Sequence, residues 1–248
     1  MSGHSKWSTI KRKKGIADAK RGKIFTKLIR EIQTAARIGG GEIDSNPRLR
    51  LVVDKSKSAN MPKDNISRAI KKGIGGSETE AFEECVYEGY GPAGVAVLVE
   101  ALTDNKNRTV GEIRHVFTRH GGNLGASGCV AYLFDKKGTI EVDPAAVDSD
   151  TLMEAALEAG AEDFVESGES LEVHTAVADL ETVKAALEAR QIPLLRAEVS
   201  MEASTQIELS GDDAASMLKL SDALEDLDDV QNVFANFDIS DEEMSLLV

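Results

Sequence analysis

Apolar residues in the first third of the chain recur at helical spacing. Between Lys23 and Ile38, the residues Ile24, Phe25, Leu28, Ile29, Ile32, Ala35 and Ala36 fall on one side of a helical wheel, and Lys20, Lys23, Lys27, Arg30 and Arg37 fall on the other. Gly39-Gly40-Gly41 predicts the end of this helix, because residues without a Cβ have low helix propensity and enter positive φ readily. A second helix is expected from Pro47 to Ala59, with Ser45 or Asn46 as capping oxygen and Leu49, Val52 and Val53 as its apolar side. A third is expected from Pro62 to Lys72, burying Ile66, Ala69 and Ile70 and stopping at Gly73. The pattern predicts a small three-helix unit.

Beyond the glycine-rich stretch Gly73-Ile74-Gly75-Gly76-Ser77 the periodicity changes to short strands alternating with helices. Strands are expected at Val86 to Tyr90, Val95 to Leu102 and Cys129 to Phe134, with a helix from Thr109 to His120 closed by Gly121-Gly122. From Ile140 to Met201 the order reads β-α-β-β-α-β, the ferredoxin-like plan. A strand at Gln206 to Leu209, a helix from Asp212 to Leu227 and a strand from Val230 to Phe237 then complete a second such set begun before Lys136. The expected fold class is therefore α+β multidomain: an N-terminal three-helix domain (1–76) followed by two ferredoxin-like α+β domains, one (136–203) inserted in the other (82–134 plus 204–240).

Charge is strongly segregated along this plan. The net charge of −14 averages a head of 19 Lys+Arg against 6 Asp+Glu up to Gly76, a formal +13, and a remainder of 10 against 37, a formal −27. A bland solvated helix surface interleaves acids with its bases at i, i+4, and here acids are few. A cation excess on so small a unit repels itself, and a polyphosphate neutralises it. The residues expected to touch nucleic acid are Lys6, Trp7, Lys11, Arg12, Lys13, Lys14, Lys20, Arg21, Lys23, Lys27, Arg30, Arg48 and Arg50. Trp7 offers a stacking face for an unpaired base, although a lone tryptophan is more often a packing anchor. Lys106 and Arg108, with Arg114 and Arg119 on the next helix, form a basic island in the acidic part, and Lys106, Arg108 and Arg114 are counted among the expected contacts. They follow or belong to the loop Thr103-Asp104-Asn105-Lys106-Asn107-Arg108-Thr109, whose commoner role is helix capping.

Catalytic chemistry has little to stand on. The four histidines show no HExxH or CxxC partnership, and Cys85 and Cys129 lie far apart without metal spacing, so no metal or cofactor is expected. Gly121-Gly122-Asn123-Leu124-Gly125 lacks the GK[ST] ending of a phosphate loop and reads as a turn. No apolar run is long enough for a membrane span and no secretory signal is visible, so a cytoplasmic chain without membrane or small-molecule partner is expected.

The segments Gly3-His4-Ser5-Lys6-Trp7, Asp18-Ala19-Lys20-Arg21-Gly22-Lys23, Asn46-Pro47-Arg48-Leu49-Arg50, Tyr87-Glu88-Gly89-Tyr90-Gly91-Pro92, the Thr103 to Thr109 loop and Gly121 to Gly125 resemble, in this order, the YebC/PmpR family, which includes the mitochondrial translational activator of cytochrome c oxidase. The likeness spans nearly the whole chain. It implies three domains, a helical head and two α/β parts. It also implies a nucleic-acid-binding regulator: some members are labelled DNA-binding transcriptional regulators, and others look like ribosome-associated factors that help translation through proline-rich stretches. No enzymatic site is implied.

Overall fold

The computed structural model describes residues 18–75, 81–167 and 170–247. Three helices open it: α1 (Asp18–Gly39), α2 (Pro47–Ser58) and α3 (Lys63–Gly75). Leu28, Ile32, Ala35, Ala36, Leu49, Val52, Val53, Met61, Ile66 and Ala69 close into one apolar core between them. The first helix begins at Asp18, five residues before Lys23, where the sequence pattern places its start. Gly73 does not stop the third helix. It lies buried inside α3, where a Cβ would sit 2.5 Å from the Gln33 carbonyl oxygen and 2.9 Å from the Ala36 Cβ, so glycine is what lets α1 and α3 touch.

The rest alternates β1 (Glu83–Tyr90), β2 (Ala96–Thr103), α4 (Lys106–Arg119), β3 (Asn123–Leu124), β4 (Phe134–Val142), α5 (Ser149–Glu158), β5 (Asp163–Ser167), β6 (Ser170–Thr175), α6 (Leu180–Ala189), β7 (Leu194–Ala203), β8 (Ile207–Glu208), α7 (Gly211–Glu225), β9 (Val230–Ala235), β10 (Phe237–Asp238) and α8 (Asp241–Leu247). Two compact units result: Phe134–Glu202, and the described residues on either side of it. The Phe134–Glu202 unit has strand order β5-β6-β4-β7, the ferredoxin-like order, with Ile140 opposite Val173 and Val173 opposite Phe164.

In the flanking unit the sheet order is β3-β1-β2-β9. The β1–β2 hairpin is antiparallel from Glu83 opposite Thr103 to Tyr90 opposite Ala96, and β9 pairs antiparallel to the outer side of β2. The spatial layout is again that of a ferredoxin-like sheet, but the threading differs from the sequence expectation. The strand that returns after α4 is Asn123–Leu124, whereas residues 129–133 form a turn and a short 3-10 helix before β4. Their backbone donors explain this: Glu88 accepts the N–H groups of Gly128, Val130 and Ala131, and those of Cys129 and Leu133 bond the nearby Ala126 and Val130 carbonyls, so these donors are not offered to a ladder. Likewise β8 does not join the large sheet but pairs in parallel with β10. One core unites the unit, with Val97 and Val99 of β2, Ile113 and Phe117 of α4, and Met217, Leu220 and Leu224 of α7.

Candidate nucleic-acid interface

The head's geometry is set by one buried amide. Asn46 accepts the Leu49 N–H at 3.0 Å, capping α2, while its amide donates to the Ala35 carbonyl at 2.9 Å and to the Gly40 carbonyl at 2.8 Å. A single side chain thus satisfies orphan groups at the end of α1 and the start of α2. With the three helices fixed, Lys63, Arg68, Lys71 and Lys72 point outward from α3, where Asp64 is the only acid. Sequence reasoning missed this face. The signal was present in the cluster of Lys63, Arg68 and Lys71-Lys72 on one short helix with a single acid.

Of the expected contact residues, Lys6, Trp7, Lys11, Arg12, Lys13 and Lys14 lie outside the described residues. Lys20 belongs to the first turn of α1, and Arg21 is exposed. The next three cations of the stripe face the protein itself. Lys23 Nζ donates to the Asp226 carbonyl at 3.0 Å and Lys27 Nζ to the Glu225 carbonyl. Arg30 donates to the Asp228 carbonyl at 2.8 Å and to Asp229 Oδ1 at 2.6 Å, its guanidinium 5.2 Å from the centre of the Phe82 ring. The stripe therefore docks on the C-terminal end of α7, where the terminal carbonyls carry the negative end of the helix dipole. Arg48 pairs with Glu84, and Arg50 donates to the Asp44 carbonyl. Lys106 is 2.6 Å from Glu83. Arg108 bridges Asp104 at 2.8 Å and Asp229 at 2.7 Å, and Arg114 is exposed on α4.

Asp229 is the hub of this arrangement. Its side chain is 3 % exposed, and Oδ2 accepts from Thr103 Oγ1 at 3.1 Å, Thr109 Oγ1 at 2.7 Å and Arg108, while Oδ1 takes Arg30. Burial alone raises its pKa, but the bonds from Arg108, Thr109, Arg30 and Thr103 outweigh that and hold it below the usual carboxylate range. The Thr103 to Thr109 loop thus does two jobs. Asn105 caps α4 by accepting the Arg108 N–H at 3.1 Å, and the flanking threonines clamp Asp229. Another buried carboxylate, Glu88, holds the Gly128 to Ala131 turn through N–H groups at 2.6, 2.8 and 2.7 Å. Burial raises its pKa too, and the three backbone bonds more than reverse it.

In the Phe134–Glu202 unit, buried His174 has Nε2 3.4 Å from Glu172 and Nδ1 3.4 Å from Glu202, which Lys137 meets at 2.9 Å. The Glu172 contact, against the opposing pull of burial, raises the imidazole pKa. Among the described residues no group of three or more His, Cys, Asp or Glu is placed to hold a metal, and no described helix is long and apolar enough to cross a membrane.

Residues 5–76 match the family description "TACO1/YebC protein N-terminal domain", and residues 82–237 match "TACO1/YebC second and third domain". The chain belongs to the TACO1/YebC family. Relatives in this family include a "Probable transcriptional regulatory protein" of Trichlorobacter lovleyi, 61 % identical over the full length of both chains. One of the same description from Geobacter sulfurreducens is 59 % identical, again over both full lengths. The crystal structure titled as a conserved hypothetical protein from Aquifex aeolicus shares 52 % identity and superposes with a TM-score of 0.84, covering 90 % of this chain and 93 % of that one. The α+β architecture with a helical N-terminal region is accordingly that of TACO1/YebC proteins, and the two relatives from Trichlorobacter lovleyi and Geobacter sulfurreducens are described as probable transcriptional regulatory proteins.

Proposed function

We propose that this TACO1/YebC chain is a non-enzymatic, nucleic-acid-binding regulator of gene expression whose basic head grips phosphates. In this reading residues 1–76 form the head, 82–134 with 204–240 a discontinuous α+β domain, and 136–203 an inserted one. The observation that carries it is the formal +13 gathered before Gly76 in a chain of net −14. The outward cations Lys63, Arg68, Lys71 and Lys72 of α3, with Arg21 and the residues Lys6 to Lys14, are the contact set we favour. Arg114 adds to it on α4. The exposed members gain most from phosphate, since each contact releases a condensed counterion.

The test is binding of the full chain to a duplex and to a single strand across a salt series. Six to ten phosphate contacts predict an affinity loss of about 10³–10⁵ between roughly 50 and 200 mM salt. Affinity independent of salt refutes the reading. A second reading, a ribosome-associated factor that relieves stalling at proline-rich stretches, is favoured by the formal −27 after Gly76, which repels bare DNA but suits the basic proteins of a ribosome. Ultraviolet crosslinking in growing cells, followed by sequencing of the attached nucleic acid, separates the two: promoter DNA for the first, ribosomal RNA for the second.

A further inference from the structure

We propose that the contact between α1 and the end of α7 is an electrostatic latch, which a polyanion opens by competing for Lys23, Lys27 and Arg30. The inference rests on the nucleic-acid reading above and adds regulation to it.

The latch joins two bodies with separate apolar interiors. The head's core is built from its own three helices, and the core of the flanking unit from its sheet, α4, α7 and the residues that follow. The hydrogen bonds and ion pairs described between them are Lys23 to the Asp226 carbonyl, Lys27 to the Glu225 carbonyl, Arg30 to the Asp228 carbonyl and Asp229, and Arg48 to Glu84, with the Arg30 guanidinium also 5.2 Å from the centre of the Phe82 ring. Polar interfaces within a chain are the kind that permit relative motion. Three of the acceptors are neutral carbonyls, and a cation bonds a phosphate oxygen more strongly than it bonds a carbonyl. Lys23 is exposed, and Lys27 and Arg30 are only partly buried, so a phosphate can approach them from solvent.

The acceptor side tolerates opening. When Arg30 leaves, Asp229 Oδ1 is freed, but Oδ2 keeps Thr103, Thr109 and Arg108. The hub carboxylate thus keeps three of its side-chain bonds when Arg30 departs. The closed state engages three head cations with the protein's own acceptors, and the open state adds them to the phosphate-binding surface.

A cross-link tests this without removing any of the three cations. Thr26, exposed on α1 within a turn of Lys23 and Arg30, and Asp226, exposed at the end of α7, are replaced by cysteine in a chain with Cys85→Ser and Cys129→Ser, and joined by a bifunctional maleimide. Binding to a single-stranded RNA oligonucleotide is measured with and without the linker over a salt series. The latch predicts that the linked chain binds more weakly and that its log affinity against log salt is shallower by about 2, the share of three phosphates on a single strand. The unlinked double-cysteine chain behaves like the native one, whose melting profile certifies the fold. Equal affinity and slope with and without the linker overturn the latch and leave the nucleic-acid reading standing. Absence of binding by the native chain at low salt removes that reading, and the latch with it.

Discussion

Replacing Asp229 probes the junction of head and sheet at its most connected atom pair. Asp229→Ala strips a 3 %-exposed carboxylate from two hydroxyls and two guanidiniums. The Arg108 side chain is 42 % exposed, so its pairing contributes little, about 0–1 kcal/mol. The two threonine hydroxyls and Arg30, itself 17 % exposed, account for most of the loss, each bond to a charged acceptor being about 1.5–3 kcal/mol before non-additivity. The expected destabilisation is about 3 kcal/mol, near the lower end for breaking a buried pair. Thermal unfolding followed by circular dichroism should show the transition of the flanking unit lowered by about 6–12 °C.

The pH dependence sharpens the test. Because the folded pKa of Asp229 lies below its ordinary value near 3.9, its contribution is fully present above that value and is lost as pH falls through it toward the folded pKa. The gap between native chain and Asp229→Asn is therefore largest at neutral pH and narrows in acid. A shift under about 1 kcal/mol at neutral pH, on the same conversion, or a gap that widens on acidification, refutes the account of the hub.

Glu88→Gln should loosen the Gly128 to Ala131 turn, read as faster amide exchange at Gly128, Val130 and Ala131, with the native chain losing the same protection in acid because the folded Glu88 pKa is lowered. Unchanged exchange would dismiss the clamp. Asn46→Ala removes the cap of α2 and two donors to the end of α1, and should cost about 2–3 kcal/mol in chemical denaturation, with Asn46→Asp restoring only the cap. Gly73→Ala should destabilise the head by about 1–3 kcal/mol through overpacking against Gln33 and Ala36, whereas a neutral or stabilising effect would mean the helices separate freely. For His174, proton NMR titration should place the folded pKa above the ordinary one. Its stabilising effect is present below the unfolded value and fades as pH rises through the folded one, and a midpoint under about 6.5 contradicts the Glu172 and Glu202 contacts.

Periodicity made the helices legible because each buries one stripe: Ile32 and Ala36 of α1 and Ile113 and Phe117 of α4 are all essentially inaccessible. The inserted unit was legible too, since the complete β-α-β-β-α-β run from Ile140 to Met201 falls inside one compact unit, Phe134–Glu202. The return strand was not. Cys129 to Phe134 has the composition of a strand, and only the side chain of Glu88, remote in sequence, decides that its N–H groups go elsewhere. The same limit applies to the stripe of α1. Lys23, Lys27 and Arg30 look identical in sequence to cations awaiting phosphate, and their partners near residue 226 lie some 200 positions away. Periodicity reports which side of a helix is polar. It does not report what that side meets.

The chain leaves the flanking unit at Leu133 and is back in it at Ser204, whose N–H and hydroxyl both bond the Leu133 carbonyl, while the sheet of that unit is still incomplete. Its central strand β2 then waits for a neighbour translated much later: Ala96 and Asn236, which bond across the closing seam, stand 140 positions apart. During synthesis from the N-terminus the self-contained Phe134–Glu202 unit can mature while one border of β2 still lacks β9, a period in which that border is open to unwanted pairing. A nascent chain halted before residue 230 should therefore hold a protease-resistant middle flanked by cleavable segments, and resistance should spread outward once β9 has emerged.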